Sequence, residues 1–283
     1  MVKLADYKGG QTAWCPGCGN FGILGAVKQA LVNLGLEPHQ VLMVSGIGQA
    51  GKLPHYTQAN VFNSLHGRAL PVAVGARLAN PELTILVIGG DGDGYSEGGN
   101  HTMHAMRRNH DLTYIVHDNQ VYGLTKGQAS PTSDEGYITK TSLHGADPPV
   151  NPIALGIVSG ATFVARSFAG DAVHLAEMLV QAVRHKGFSL VDVLQPCVSF
   201  NRKNTWEWYW QRIYKIEEGY NPADRIAALE RAQEWGEKIP IGVMYRKEGA
   251  AAFESHIPAL EKGPMWKRRL RPSAAAVLLD EFK

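Results

Sequence analysis

The stretch LTILVIGGDGDGYSEGGNH, residues 83–101, followed by LTYIVHDNQVYGLTKG, residues 112–127, decides how this chain is read. Residues 83–90 and 112–118 are short, β-branched, nearly continuous apolar runs, the signature of strands buried on both faces of a parallel sheet. Between them, residues 98–109 carry a helical pattern, so the unit is strand–helix–strand. Asp91 and Asn119 therefore emerge at the ends of two successive strands, and ligands of open α/β sheets bind outside those ends. Mg²⁺ is a hard, octahedral cation that takes one or two carboxylates, further oxygens and substrate phosphates. Asp91 offers the carboxylate, Asn119 an amide oxygen, and the turn after it can aim the carbonyl of Val121 at the same ion. A Gly-Asp-Gly alone is ordinary turn chemistry. Paired with Asp118-Asn119, with 25 residues between Gly92 and Asp118, it predicts a Mg²⁺–diphosphate site.

Working outward, QVLMVSG (40–46), ATFVARSF (161–168) and FSLVDVLQP (188–196) read as further strands. Residues 20–35, 67–79, 151–159 and 171–186 read as helices, the last with Asp171 as N-cap. Strand and helix in alternation predict an α/β fold, a mostly parallel sheet with helices on both faces. Beyond residue 200 the character changes. NTWEWYWQRIY is aromatic-rich, NPADRIAALERAQEWGEK reads as a helix and IPIGVMYR as a strand. We expect an α/β domain over residues 1–200, including the N-terminal cysteine segment, and a C-terminal extension over 201–283 that touches another subunit or covers the site.

Composition narrows the class. The 283 residues are 45% hydrophobic and 19% charged, enough to bury a sizeable core, and the net charge of +2 argues against nucleic acid. There is no apolar run of membrane-spanning length and no signal-peptide core in MVKLADYKGG, so a cytoplasmic protein without a membrane partner is expected. The basic cluster Lys267, Arg268, Arg269 and Arg271 reads as a solvated tail. Three cysteines exclude a disulfide framework, and Cys15-x-x-Cys18 points to metal, cluster or redox chemistry, with Cys197 the one other thiol. Two segments match G-x-G-x-x-G: Gly17, Gly19 and Gly22 lack a preceding strand, and Gly46, Gly48 and Gly51 lack the acid some 20 residues on that a ribose needs. Close approach of backbone to another phosphate or cofactor is the better reading at Gly46–Gly51.

Taken together, WCPGCGNFGIL, SGIG-x-x-GK, HGRALPVAVGARLANP, GDGDGYSEGGNHTMHAMRRN, DNQVYGLTKGQASPTS and EWGEKIPIGV resemble the β subunit of 2-oxoacid:ferredoxin oxidoreductases, from about residue 10 to 250. The resemblance implies thiamine diphosphate bound through Mg²⁺ at Asp91, Asn119 and the Val121 carbonyl. It places Ile47, Gly48, Gln49, Ala50, His66, Gly92, Asp93, Gly123 and Leu124 around the cofactor, with His66 in polar contact and Lys52 facing the substrate carboxylate. The implied reaction converts a 2-oxoacid, 2-oxoglutarate or pyruvate-like, with coenzyme A to acyl-CoA and CO₂, the thiazolium acting as electron sink. Electrons leave through an iron–sulfur cluster to ferredoxin. A carboxylate for the aminopyrimidine is expected from an α subunit, so this chain should be inactive alone, in an αβ or (αβ)₂ assembly. The cluster is implied at Cys15, Cys18 and Cys197, but the family's fourth cysteine, in GIGC, is here Gln49. Four options stay open: [4Fe–4S] with a non-cysteine ligand such as water, His55 or a partner group; [3Fe–4S]; zinc; or no metal. Two competing readings follow, a non-redox thiamine-dependent decarboxylase or ligase without a cluster, and a non-catalytic subunit on the same scaffold. The cluster Trp206, Trp208, Tyr209 and Trp210 is expected in the core or between subunits, with a lid as the lesser reading. His101 and His104 are read as helix-start residues rather than ligands.

Overall fold

The computed structural model describes residues 1–268 together with Ser273 and Leu279. Arg269 and Arg271 of the basic cluster lie outside the described residues; Lys267 pairs with Glu82 at 2.8 Å. Before the sheet comes helix α1, Asn20–Asn33. Strand β1 (Val41–Ser45) leads through a tight 3₁₀ segment, Ala50–Tyr56, to the short strand β2 (Asn60–Asn63) and helix α2 (Ala69–Ala79). Then follow β3 (Thr84–Gly90), α3 (Gly99–Arg108) and β4 (Leu112–Asp118). A small hairpin of β5 (Val121–Tyr122) and β6 (Gln128–Ala129) precedes α4 (Pro152–Ser159), β7 (Phe163–Phe168), α5 (Ala172–Arg184) and β8 (Phe188–Leu194). The chain then adds α6 (Trp206–Trp210), β9 (Ile213–Lys215), α7 (Arg225–Ala232) and β10 (Ile239–Arg246).

One eight-stranded sheet runs in the order β2-β1-β3-β4-β8-β7-β10-β9. Every pairing is parallel except that of β10 with β7. The central strands are buried along their whole length, as their unbroken apolar runs predict. Side chains alternate across the sheet. Ile88, Ile115 and Val191 face α1 and α5, packing with Ile23, Val27, Leu31, Leu175 and Leu179. Val87, Val116 and Leu190 face the other layer, packing with Leu70, Met106, Ile153 and Ile157. Helix α5 starts where the sequence predicts, with Asp171 accepting from the His174 N–H at 3.0 Å.

From the segment beyond residue 200, β10 and β9 extend this sheet past β7. The segment also packs inward. Tyr209 is fully buried against Phe168, with Trp206 and Trp210 around the same ring. Among the described residues no helix is long and apolar enough to cross a membrane.

Register brings the business ends of the strands together. Ser45 pairs with Ile88, Gly90 with His117 and Asp118 with Leu194. The ladder continues one step further, Gly46 N–H donating to the Ile88 carbonyl (3.0 Å) and Gln195 N–H to the Asp118 carbonyl (2.8 Å). The segments that begin at Gly46, Asp91, Asn119 and Gln195 thus leave the sheet side by side.

Candidate thiamine and cluster site

Two adjoining clefts open at these four strand ends. The first, of about 480 Å³, is lined by Ile47–Ala50, His66, Gly90–Asp93, Asn119 and Val121–Thr125. All residues that the resemblance places around Mg²⁺ and the cofactor are in this lining; Lys52 is not. Lys52 is half-buried in the 3₁₀ segment and forms no ion pair among the described residues. The second cleft, of about 380 Å³, is lined by Trp14, Cys15, Cys18, Asn20, Gln49, Asn119, Gly123 and Gln195–Phe200, apart from Pro196. Gln49, Asn119 and Gly123 line both clefts and form the wall between them.

Asp91 is buried, its Oδ2 accepting from the hydroxyls of Ser130 (2.5 Å) and Thr132 (2.6 Å). Thr132 Oγ1 also lies 2.7 Å from Asp118 Oδ1. One hydroxyl proton cannot serve two carboxylates, so the Asp91–Thr132–Asp118 chain needs a further proton or a cation. Burial raises the carboxyl of Asp91 above its ordinary range, and raises Asp118 further because Asp192 and Asp91 add their repulsion. Against these three buried acids stands one buried cation, Arg166, 4.0 Å from Asp192. An excess of buried negative charge beside an oxygen-rich turn fits a hard divalent cation.

The turn after β4 is held in an uncommon conformation. Gln120 has φ +58°, which a non-glycine residue keeps only where surroundings enforce it. Three contacts do so. Its amide donates to the Thr132 carbonyl (2.7 Å), its side-chain oxygen accepts from Tyr209 (3.1 Å), and its carbonyl accepts from Ser133 (2.6 Å). Asn201 donates to the Asn119 carbonyl at 3.2 Å, and Asn119 Oδ1 accepts the Val121 N–H at 3.0 Å. The result presents Asn119 and Val121 toward Asp91 across the cleft.

Asp93 has a different position from Asp91. Its Oδ1 accepts the N–H groups of Ile47 (2.9 Å) and Gly67 (2.8 Å), tying three loops together. A Cβ at Gly46 would sit 1.8 Å from Asp93 Oδ2, so the glycine is required by this approach. That packing accounts for part of the glycine pattern after β1. Gly98 N–H donates to the Asp93 carbonyl five residues back (2.8 Å), a wide turn that delays α3 until Gly99. His66 is about one-third exposed, with Nδ1 3.4 Å from both Asp93 and Glu97; Glu97 also accepts from Tyr122 at 3.0 Å.

The cysteines, far apart in sequence, line one cleft. Trp14 Nε1 donates to the Gln49 carbonyl (2.9 Å), and Trp206 Nε1 to the Gly17 carbonyl (3.0 Å), fixing the Cys15–Cys18 turn from both sides. Ser199 Oγ is 3.2 Å from Cys15 Sγ and Gln195 Nε2 is 3.5 Å from Cys18 Sγ. Burial pushes the Cys18 thiol up to about 11, with Cys197 and Cys15 contributing. Gln49 Oε1 is buried without a hydrogen-bond partner. His55 is exposed and outside the lining. Among the described residues no three His, Cys, Asp or Glu side chains are grouped to hold a single metal ion.

Sequence reasoning assigned no role to Ser130, Thr132, Ser133, Gln120 or Asn201, and expected Tyr209 in the core or between subunits without linking it to this turn. The three hydroxyls of SPTS were the available signal; the others act through contacts that cross about 12 to 90 residues of chain.

The family model for the thiamine pyrophosphate enzyme C-terminal domain, which binds thiamine pyrophosphate, matches residues 40–193, the segment that builds β1 to β8 and the cleft. The model for the C-terminal region of the pyruvate ferredoxin oxidoreductase β subunit matches residues 197–262. The chain is 48% identical over 277 residues to the 2-oxoacid:ferredoxin oxidoreductase subunit β of Saccharolobus solfataricus, covering 93% of this chain and 90% of that one. It is 38% identical over 260 residues to a 2-oxoglutarate synthase subunit of Archaeoglobus fulgidus, covering 88% and 97%. A solved 2-oxoglutarate:ferredoxin oxidoreductase from Magnetococcus marinus, with 2-oxoglutarate, coenzyme A and succinyl-CoA bound, superimposes with a TM-score of 0.91 at 37% identity, over 98% of this chain and 96% of that one. Fold and cleft therefore define a thiamine-diphosphate-binding enzyme domain. More narrowly, the chain belongs to the β-subunit family of the 2-oxoacid:ferredoxin oxidoreductases.

Proposed function

We propose that this chain, with an α subunit and in the cytoplasm, converts a 2-oxoacid and coenzyme A to acyl-CoA and CO₂ and delivers the electrons through an iron–sulfur cluster to ferredoxin. The observation that carries the reading is the pair of clefts sharing Gln49, Asn119 and Gly123 as a wall. The shared wall supports the reading, because a cluster held by the cysteines would adjoin the thiamine cleft. 2-Oxoglutarate is the first substrate to test, because the solved relative binds it.

When bound, the thiazolium supplies the electron sink for decarboxylation. Asp91, Asn119 and the Val121 carbonyl would hold Mg²⁺, and the backbone at Gly48, Gly90 and Gly92 would leave room for the diphosphate. Ile47, Ala50 and Leu124 would cover the ring and limit water, with Gly123 at its floor. Asp93 would hold the Ile47 and Gly67 loops in place. His66 would orient the cofactor through its imidazole. Lys52 would approach the substrate carboxylate from the turn beyond the lining. Cys15, Cys18 and Cys197 would supply thiolates to the cluster.

The test is anaerobic co-purification with the α subunit, followed by viologen reduction with 2-oxoglutarate, pyruvate and branched 2-oxoacids, with and without coenzyme A. Reduction that requires both a 2-oxoacid and coenzyme A supports the proposal. Decarboxylation without any dye reduction would favour the non-redox reading, which Gln49 alone supports.

A further inference from the structure

We infer that the cluster is bound by three thiolates only, as a [3Fe–4S] centre, with Gln49 occupying the corner where a fourth iron would need a ligand. The inference rests on the cluster reading above and goes beyond it. Iron–sulfur cubanes are held by four thiolates, with occasional histidine. The cleft that gathers Cys15, Cys18 and Cys197 contains no other thiol, no imidazole and no carboxylate in its lining. The remaining polar side chains are amides and a hydroxyl. Two of them already turn donors toward sulfur, Ser199 to Cys15 and Gln195 to Cys18. Asn119 faces the other cleft as well and holds the Val121 N–H.

Asn20 lies with its Oδ1 2.7 Å from His117 Nδ1, which leaves Gln49 as the lining amide whose side chain has no hydrogen-bond partner among the described residues. The Gln49 backbone is anchored by Trp14, which also fixes it relative to the Cys15–Cys18 turn. Its Oε1 is buried and unpartnered, so its side chain borders the cleft without another occupation. A neutral amide oxygen is a hard donor, poorly matched to iron in a sulfide cage, which favours soft thiolate. Its NH₂ is a donor suited to a bridging sulfide. A glutamine here therefore fills the corner and hydrogen-bonds sulfur rather than binding iron. A three-iron centre, which asks for three thiolates, matches the three thiols of this lining.

The experiment compares the anaerobic αβ complex of wild type with Q49C and Q49A by iron and sulfide content per β chain and by EPR of the oxidised state. Wild type should show the odd-electron signal of an oxidised three-iron centre. Q49C should hold one more iron per β chain and lose that signal, because an oxidised four-iron cubane is diamagnetic. Q49A should match wild type in iron content. Equal iron in wild type and Q49C with a silent oxidised state, or loss of iron in Q49A, would overturn the inference while leaving the cluster reading intact. Absence of iron and sulfide from all three would sink both. Should Q49C fail to assemble, Q49A and wild type still decide between the outcomes.

Discussion

At the scale of single residues the site depends on a few side chains whose roles separate cleanly. Asp91→Asn removes the carboxylate charge but keeps the shape. We expect Mg²⁺-dependent thiamine diphosphate binding, read by calorimetry, to weaken by at least ~100-fold with the fold retained, since ligand and supporting shells each typically carry 10–100-fold. Gln120 touches nothing that reacts, yet it holds the turn that presents Asn119 and Val121. Gln120→Ala should lose about 1–3 kcal/mol in denaturant unfolding and weaken cofactor binding about 10-fold or more; Gln120→Gly should recover part of the stability, because glycine accepts φ +58° without strain. His117 is a third case. It is fully buried, its Nδ1 2.7 Å from Asn20 Oδ1, and burial pushes its pKa down to about 3. The folded state keeps it neutral while the unfolded state takes a proton below about 6.5. Its contribution is complete above pH 6.5 and is lost as pH falls from there toward 3, at up to ~1.4 kcal/mol per pH unit. His117→Asn keeps a donor near Asn20 and removes the proton. Relative to wild type, the variant's unfolding free energy should fall less between pH 6.5 and 4.5; identical slopes would show that His117 does not titrate in this window.

At the scale of elements, glycines mark where backbone meets backbone. The match of Gly17, Gly19 and Gly22 to a nucleotide fingerprint has a packing explanation: a Cβ on Gly22 would lie 2.0 Å from the Ala169 carbonyl. Helix α1 docks there directly after the Cys15–Cys18 turn, where the Gly19 N–H donates to the Pro196 carbonyl at 3.2 Å. Gly22→Ala should destabilise by about 1–3 kcal/mol through overpacking, visible as a lower thermal midpoint. Strands β1, β3, β4, β7 and β8 and helices α1 to α5 were legible because burial on both sheet faces leaves continuous apolar runs and each helix keeps an apolar stripe. Strand β2 was not legible: all four residues of NVFN are exposed and the strand is defined by its pairing with β1 alone. The wide turn over Gly92–Glu97 was invisible for a related reason, since nothing local distinguishes it from a helix start.

At the scale of the whole molecule, the C-terminal segment and the thiamine cleft form one structural unit. Tyr209 and Asn201 reach the turn after β4 from beyond residue 200, and Trp206 reaches Gly17. Truncation after residue 200 would uncover the β7 edge and the Phe168 ring together. The shortened chain should be largely insoluble, and any soluble fraction should not bind thiamine diphosphate; a soluble, cofactor-binding fragment would show the segment to be dispensable. The same scale governs activity. We expect the β chain alone to show no 2-oxoacid-dependent dye reduction, and addition of the α subunit to establish it.

The sequence by itself determined the class of fold and the strand-end positions of Asp91 and Asn119, because hydrophobic periodicity and turn chemistry are local properties. Its resemblance to the family singled out Cys15, Cys18 and Cys197 as a set and Gln49 as the departure from it. Only the tertiary structure decided that Gln49 stands in the wall between two clefts, that Asp93 ties loops where Asp91 stands beside buried acids, and that Lys52 lies outside the lining. Those outcomes depend on register and on side chains that meet across the sheet. Such contacts are set by the packing of the whole chain, and no local stretch encodes them.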